Sequence, residues 1–473
     1  IRVVSTGELL DISAKEALEI NFGGVSLLNL ADRPTTYSNS FKLPRTPNNE
    51  MIFSFCSLNT VDAKPNIEVT VTKGFFIQKA KLKVLSVDKT FNCSINYITA
   101  IDTLKNTNAY VDMVSWEELQ DGTTFVDDDD LILKSTDEYN SKHSGFFVPN
   151  SQGVDAESMS VPVHFDGVPL KLRGDIPFGL AYRIANYLYN VTYVTGINFK
   201  GDAITDLTIN KTVVLNPLAY RFWSFSNGLS LIEEIITGIE TKVKVSDVLK
   251  GICQLNALDI EEIDGDIYLN KIENKLNNAP IYIDGFKSIS KDLTFQLAKD
   301  NLVTYDIQDT ENFEETYLSD NITGSGVGSK DLLKMVCSIP KAYESSYADE
   351  PVYDINNKEN ANKVIIGKLS DGSVTGKPRI KKSATWVRHT TGYAMSTVNM
   401  YDMSGFYSND LGLTNIFSNL FILDAEIYLD PLKASDIMKN RTINSVQLGG
   451  KYWVDSMAYN LQTGNAKVKL IKL

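Results

Sequence analysis

Between Asn66 and Ile98 the chain alternates polar and apolar residues through three successive runs, and this constrains the fold more than any other feature. In Asn66–Thr72, Ile67, Val69 and Val71 share one face. Lys73-Gly74 turns the chain into Phe75–Val87, where Leu82 and Val84 repeat the pattern. Asp88-Lys89 turns it again into Thr90–Ile98, with Phe91, Cys93 and Ile95 together. A period of two sends alternate side chains to opposite faces of a pleated strand, and connections this short join antiparallel neighbours. The pattern predicts an antiparallel meander with one buried face, packed as a small barrel or sandwich. Just upstream lies Tyr37-Ser-Asn-Ser-Phe-Lys-Leu-Pro-Arg-Thr-Pro-Asn-Asn49. Its prolines fix φ and lack an N–H, which predicts an extended, then turning, loop that cannot be a central strand.

The middle of the chain reads differently. Residues 107–170 are weakly patterned and hold the acidic run Asp127–Asp130. Two helix-plus-sheet units follow. Asp175 caps a predicted helix with Phe178, Ala181, Ile184, Ala185 and Leu188 on one stripe, followed by strand-like 203–207 and 212–215. Ser246 caps a second helix carrying Leu249, Ile252, Cys253 and Leu255. It leads into a hairpin turned by Asp264-Gly265, since a two-residue turn of this type needs positive φ. Residues 281–400 are strand-rich with Gly and Asn loops. Strand 421–429, helix 431–439, strand 445–448 and a closing hairpin over Thr463-Gly464-Asn465 complete the pattern.

The expected fold is therefore α+β and β-rich, with several small antiparallel barrel or sandwich domains and short amphipathic helices packed on sheets. With 473 residues, about three domains are expected on size alone. The pattern divides the chain into a β meander at 1–106, an irregular β-containing insertion at 107–172, paired helix-and-sheet units at 173–280, and a β-rich part at 281–473. The start at Ile1 suggests a processed or trimmed terminus without a signal-peptide core, and the last hairpin leaves no tail. The longest apolar run, Ile416–Leu423, is interrupted by Ser418 and Asn419 and falls short of a membrane span of roughly 18 residues.

Residues that carry chemistry are thinly spread. A formal net charge of −13 argues against wrapping duplex DNA, which needs clustered cations. His143, His164 and His389 lie far apart, without partners at metal-ligand spacing. Cys56, Cys93, Cys253 and Cys337 are equally scattered and read as reduced core or near-core residues. Asp127–Asp130 lacks the alternating spacing of a calcium loop. Gly324-Ser-Gly-Val-Gly-Ser-Lys330 departs from a phosphate loop: Ser329 replaces the second glycine, and Asp331 follows the lysine. Glu117-Glu118 and Glu261-Glu262 carry no weight as an acid pair, the latter reading as an exposed hairpin edge. Trp386, Tyr393, Tyr401 and Tyr407 suit core or interface packing. No catalytic, cofactor or metal residues are assigned, and no enzyme activity is expected.

Five stretches together resemble a family of tail-hub or baseplate proteins of tailed phages and prophages of Bacteroides-type bacteria. The first is Tyr37–Asn49. The second is Ile176-Pro-Phe-Gly-Leu-Ala-Tyr-Arg-Ile184 through Gly196-Ile-Asn-Phe-Lys-Gly-Asp202. The others are Val243–Cys253, Ala298–Tyr305 and Lys451–Leu473. Their order and their spread along nearly the whole chain carry the likeness. It implies a virion protein of the tail, made in the host cytoplasm and assembled as a ring of three or six copies. Its partners would be itself and tube, spike or fibre proteins, without catalytic residues, cofactor or stable nucleic-acid binding. DNA would slide through such a ring without sticking if the lining were acidic. Within it, Tyr37, Phe41, Pro44, Pro47, Asn48 and Asn49 are interface candidates, and 107–170 is a second contact segment. A cell-surface or secreted adhesin or glycan-binding module is the alternative.

Overall fold

The computed structural model describes residues 1–13, 18–31, 36–58, 66–73, 76–96, 100–109, 146–149, 176–206, 208–209, 212–224, 230–235, 242–263, 265–292, 297–306, 319–338, 342–343, 352–353, 362–371, 385–388, 396–399 and 405–473. It is β-rich α+β, built on large antiparallel sheets with a few short helices.

The meander forms as its alternation dictates. Asn66–Lys73, Phe76–Val87 and Thr90–Asn96 pair antiparallel, with Leu82 opposite Ile67 and Ile95, and Val84 opposite Cys93. Val69, Leu82, Phe91, Cys93 and Ile95 are fully buried. The meander belongs to a sheet of thirteen described strands that also takes in the end of the chain. Tyr37–Ser38 and Glu19–Phe22 bridge from Thr90–Asn96 to Gly450–Asn460, which continues through Asn465–Lys472 and Ile422–Tyr428 to Phe286–Lys291. Buried side chains from both ends of the sequence fill one core, closed by the helix Pro431–Asn440 through Ala434, Ile437 and Met438.

A second core packs beside the first. Helix Ile184–Thr195 contributes Ile184, Tyr187, Leu188 and Val191, and helix Val245–Leu255 contributes Leu249, Ile252, Cys253 and Leu255. Both belong to the same core as one small sheet, in which Phe199–Lys200 runs parallel to Asp266–Lys271 and Leu258–Ile263 pairs antiparallel to it. The two predicted units thus share a sheet. Gly265, at φ +90, makes the expected hairpin turn.

Several expectations need correction. Ile176–Arg183 is a strand on Thr212–Ser224, and the helix starts only at Ile184. Pro177 and Gly179 are poor helix residues, which favours the extended alternative. Residues 202–205 form a helical turn rather than a strand, entered from Gly201 at φ +94. The second helix starts at Val245 after Lys244, whose N–H donates to the Asp247 carboxylate at 2.9 Å; Ser246 lies inside it. Phe41–Pro44 pairs with Thr90–Asn96, and the turn after it is the helix Pro47–Ile52. The Thr46 hydroxyl caps that helix by accepting the Asn49 N–H at 3.2 Å, and Pro47 sits at its first turn, where no N–H is needed.

Candidate functional site

The large sheet buries one face in the first core; its other face is covered by the second core at Ile422, Trp453 and Ile471 and is open beyond them. On the open face, register fixes a polar row from the strand edge inward. Ser288 stands opposite Glu426, Glu426 opposite Lys467, Lys467 opposite Ala458, Ala458 opposite Asn21, and Asn21 opposite Tyr37. A second row runs Ser290, Asp424, Lys469, Ser456. The two rows line a groove of about 600 Å³ with Tyr37 at one end. Alternation produces it along the C-terminal strands, where Asp424, Glu426, Lys467, Lys469, Ser456 and Ala458 flank core residues such as Ala425, Val468 or Met457.

Charge in the groove is organised. Lys469 Nζ lies 3.0 Å from Asp292 Oδ2 and 4.0 Å from Asp424 Oδ1. Burial alone would lower the Lys469 pKa, but the bond to Asp292 and the charges of Asp424 and Asp292 outweigh it and hold the pKa above its ordinary value. Such a surface offers a partner hydrogen-bonding groups, charge pairs and the rings of Phe22 and Tyr37.

A second polar cluster is internal. Lys275 Nζ contacts Asp259 Oδ2 at 2.6 Å and Glu261 Oε1 at 2.7 Å. Asp259 accepts the Val25 N–H, Asp455 accepts the Leu27 N–H, and the buried Arg441 donates to Gly23 O and to Val454 O and Asp455 O at 3.3 Å. The cluster clamps the backbone of residues 23–27 between the two cores. Glu261 is therefore half-buried in an ion pair, and Glu262 accepts the Ala100 N–H at 2.7 Å; neither is the free hairpin edge expected from sequence.

The interface candidates separate by burial. Phe41 and Asn49 are buried, with Asn49 donating to Asp11 O and Pro44 O, each at 2.9 Å. Pro44 and Asn48 are half-buried, while Tyr37 and Pro47 are exposed. The groove joins only Tyr37 of these to the C-terminal strands, and the sequence reading missed Lys467 and Lys469. Their signal was lysines at strand period.

Gly324–Lys330 is a turn packed on residues 297–298. A Cβ at Gly324 or Gly326 would stand 2.3 Å from Ala298 O or 1.7 Å from Leu297 O, which accounts for the glycines without phosphate. None of the four cysteines forms a disulfide, and Cys93, Cys253 and Cys337 are buried. Tyr407 is buried in the second core. His143, His164, His389, Glu117, Glu118, Asp127–Asp130, Tyr393, Tyr401 and the Trp386 side chain lie outside the described residues. Among the described residues, no group of three His, Cys, Asp or Glu could hold a metal, and no helix is long and apolar enough to cross a membrane.

Neither a protein-family model nor a curated relative matches the chain. Among solved structures it is similar to the crystal structure of prophage tail protein gp18 from Listeria monocytogenes EGD-e. The TM-score is 0.35 at 8% identity, over 98% of this chain and 90% of that one. A likeness at that score transfers no residue role.

Proposed function

We propose that this chain is a non-catalytic structural protein of a phage tail, forming a hub or baseplate ring that docks tube, spike or fibre proteins. One observation carries the reading. Tyr37–Asn49 and Lys451–Leu473, stretches at opposite ends of the sequence that bear the family resemblance, lie in one sheet, joined through Glu19–Phe22. In this reading the family is that of phages and prophages of Bacteroides-type hosts, the ring holds three or six copies, and the protein resides in the virion tail. The exposed Tyr37 and Pro47 are the contact residues left from the original six, with 107–170 as a second contact segment. Segments 1–106 and 281–473 then act as one body carrying the shared sheet.

Negative-stain microscopy of the purified chain, with its solution mass by light scattering, tests this. Threefold or sixfold rings support it. The alternative, an adhesin or glycan-binding module, is favoured by Tyr37 standing over a groove with Asn21, Asp424 and Glu426. A monomer that captures glycans on an array, and loses them on Tyr37→Ala, overturns the ring in favour of that alternative.

A further inference from the structure

The meander half of the open face is unlike a merely solvated one. The strand Phe76–Val87 buries Ala80, Leu82 and Val84 and presents Ile77, Lys79, Lys81 and Lys83 on the other side. Leu85 joins them as the extra residue of a bulge between Val84 and Ser86. Ile77 is 66% exposed and Leu85 49% exposed. Two aliphatic side chains thus bracket three lysines along about 26 Å of one strand, taking roughly 3.3 Å per residue.

The face is also set apart by charge. Arg2 stands on the same face as Lys79 with Thr70 of the intervening strand between them, and Lys467 and Lys469 lie on that face farther across the sheet, beyond four intervening strands. Against these six cations stand Glu19, Glu68, Asp424, Glu426 and the Asp292 that pairs with Lys469, so cations exceed carboxylates here by one, and Lys79, Lys81 and Lys83 face only Glu68 across the neighbouring strand. The whole chain has a formal net charge of −13, so its surface elsewhere is more acidic still.

We infer that the Ile77–Leu85 face is the surface through which one copy of this chain docks on an acidic surface of a second copy. The argument is complementarity: a cationic face with apolar anchors on a strongly acidic molecule finds a matching partner in the molecule itself. The interleaved carboxylates oppose the other polyanion in prospect, a nucleic acid, because they repel phosphates. Ile77 and Leu85 supply desolvated contact, and the lysines supply steering and register.

This inference rests on the ring reading and narrows it to one face. The test compares the full chain with Lys79→Glu/Lys81→Glu/Lys83→Glu and with Ile77→Ser/Leu85→Ser. Light scattering and negative-stain microscopy are run at about 50 mM and about 500 mM salt, between which screening of exposed charges rises steeply. Circular dichroism confirms that the variants fold, and a duplex DNA titration runs alongside. The expected result is assemblies of the wild type that shrink in high salt, with both variants at least tenfold weaker in self-association at low salt. If the wild type forms rings and both folded variants form the same rings, this face is not the contact and the ring reading stands. If the wild type stays monomeric in every condition, both ideas fall. Lysine-dependent capture of DNA without self-association overturns the inference in favour of a nucleic-acid face.

Discussion

Lys275 Nζ stands 2.6 Å from Asp259 Oδ2, with the lysine side chain 5% exposed and the aspartate fully buried. Burial pushes the Asp259 pKa up, but the charges of Lys275 and Arg441 outweigh it and hold the carboxyl below its ordinary value. The pair thus contributes stability that is present above the carboxylate's unfolded pKa and lost as pH falls through its folded pKa. The neighbouring Glu261 has the opposite sign, because burial outweighs Lys275 and raises its pKa.

Removing one partner of a buried pair leaves the other uncompensated, which costs about 3–5 kcal/mol. Lys275→Met should lose about that much in urea unfolding at neutral pH. The deficit should shrink toward pH 4, as the stranded Asp259 takes up a proton. A loss below about 1 kcal/mol would show that the clamp on residues 23–27 does not depend on this charge.

Gly24 and Arg441 meet at the same clamp. Gly24 has φ +119, and a Cβ there would lie 1.8 Å from Arg441 Nη2. Gly24→Ala must therefore strain the backbone and displace a buried guanidinium that bonds Gly23 O, Val454 O and Asp455 O. A loss of about 3 kcal/mol is expected in chemical unfolding, the sum of backbone strain and overpacking. Wild-type stability in this variant would mean that Arg441 has room to withdraw.

Neither residue of that contact could be singled out in advance. Alternation of one-sided strands is local information, so the meander, the Asp264-Gly265 hairpin and the closing hairpin were legible. The pairing of Glu19–Phe22 with Gly450–Asn460 depends on partners more than four hundred residues apart, and nothing local encodes it. Ile176–Arg183 was misread because its apolar residues suit a helical stripe as well as a strand, and pairing with Thr212–Ser224 decided between them. Tyr37, which its turn-rich context singles out as an interface candidate, is exposed and lines the groove. Phe41 and Asn49, from the same context, are occupied inside the protein, since a specific turn requires internal anchors as much as external contacts.

Thiol chemistry distinguishes the cysteines. Cys93 is fully buried, and burial together with the nearby Cys56 pushes its pKa up to about 12; burial also raises Cys337. Cys56 is only half-buried, although burial and Glu50 raise it too. A disulfide reagent at pH 8 should label Cys56 slowly in the native protein, and all four thiols once denaturant is added. Rapid native labelling of Cys93 or Cys337, read by peptide mapping, would contradict the packing described for the cores.

Tyr459 gives an alkaline test of the larger core. Its ring is buried and its hydroxyl donates to Leu429 O at 3.1 Å. Burial first, then the charges of Asp430 and Tyr428, push its pKa from 10 up to about 12. A raised pKa means that the unfolded chain ionises first. The contribution of Tyr459 is therefore intact below pH 10 and drains away as pH climbs toward about 12. Tyr459→Phe should cost about 1 kcal/mol at pH 8 through the lost hydrogen bond. Between pH 10 and about 12 its stability should fall less steeply than that of the wild type, so the gap between the two closes. Other tyrosines and lysines titrate in both proteins and largely cancel in that difference. A constant gap across the range would mean that the Tyr459 hydroxyl is reached by solvent and that the core is open at the Leu429 end.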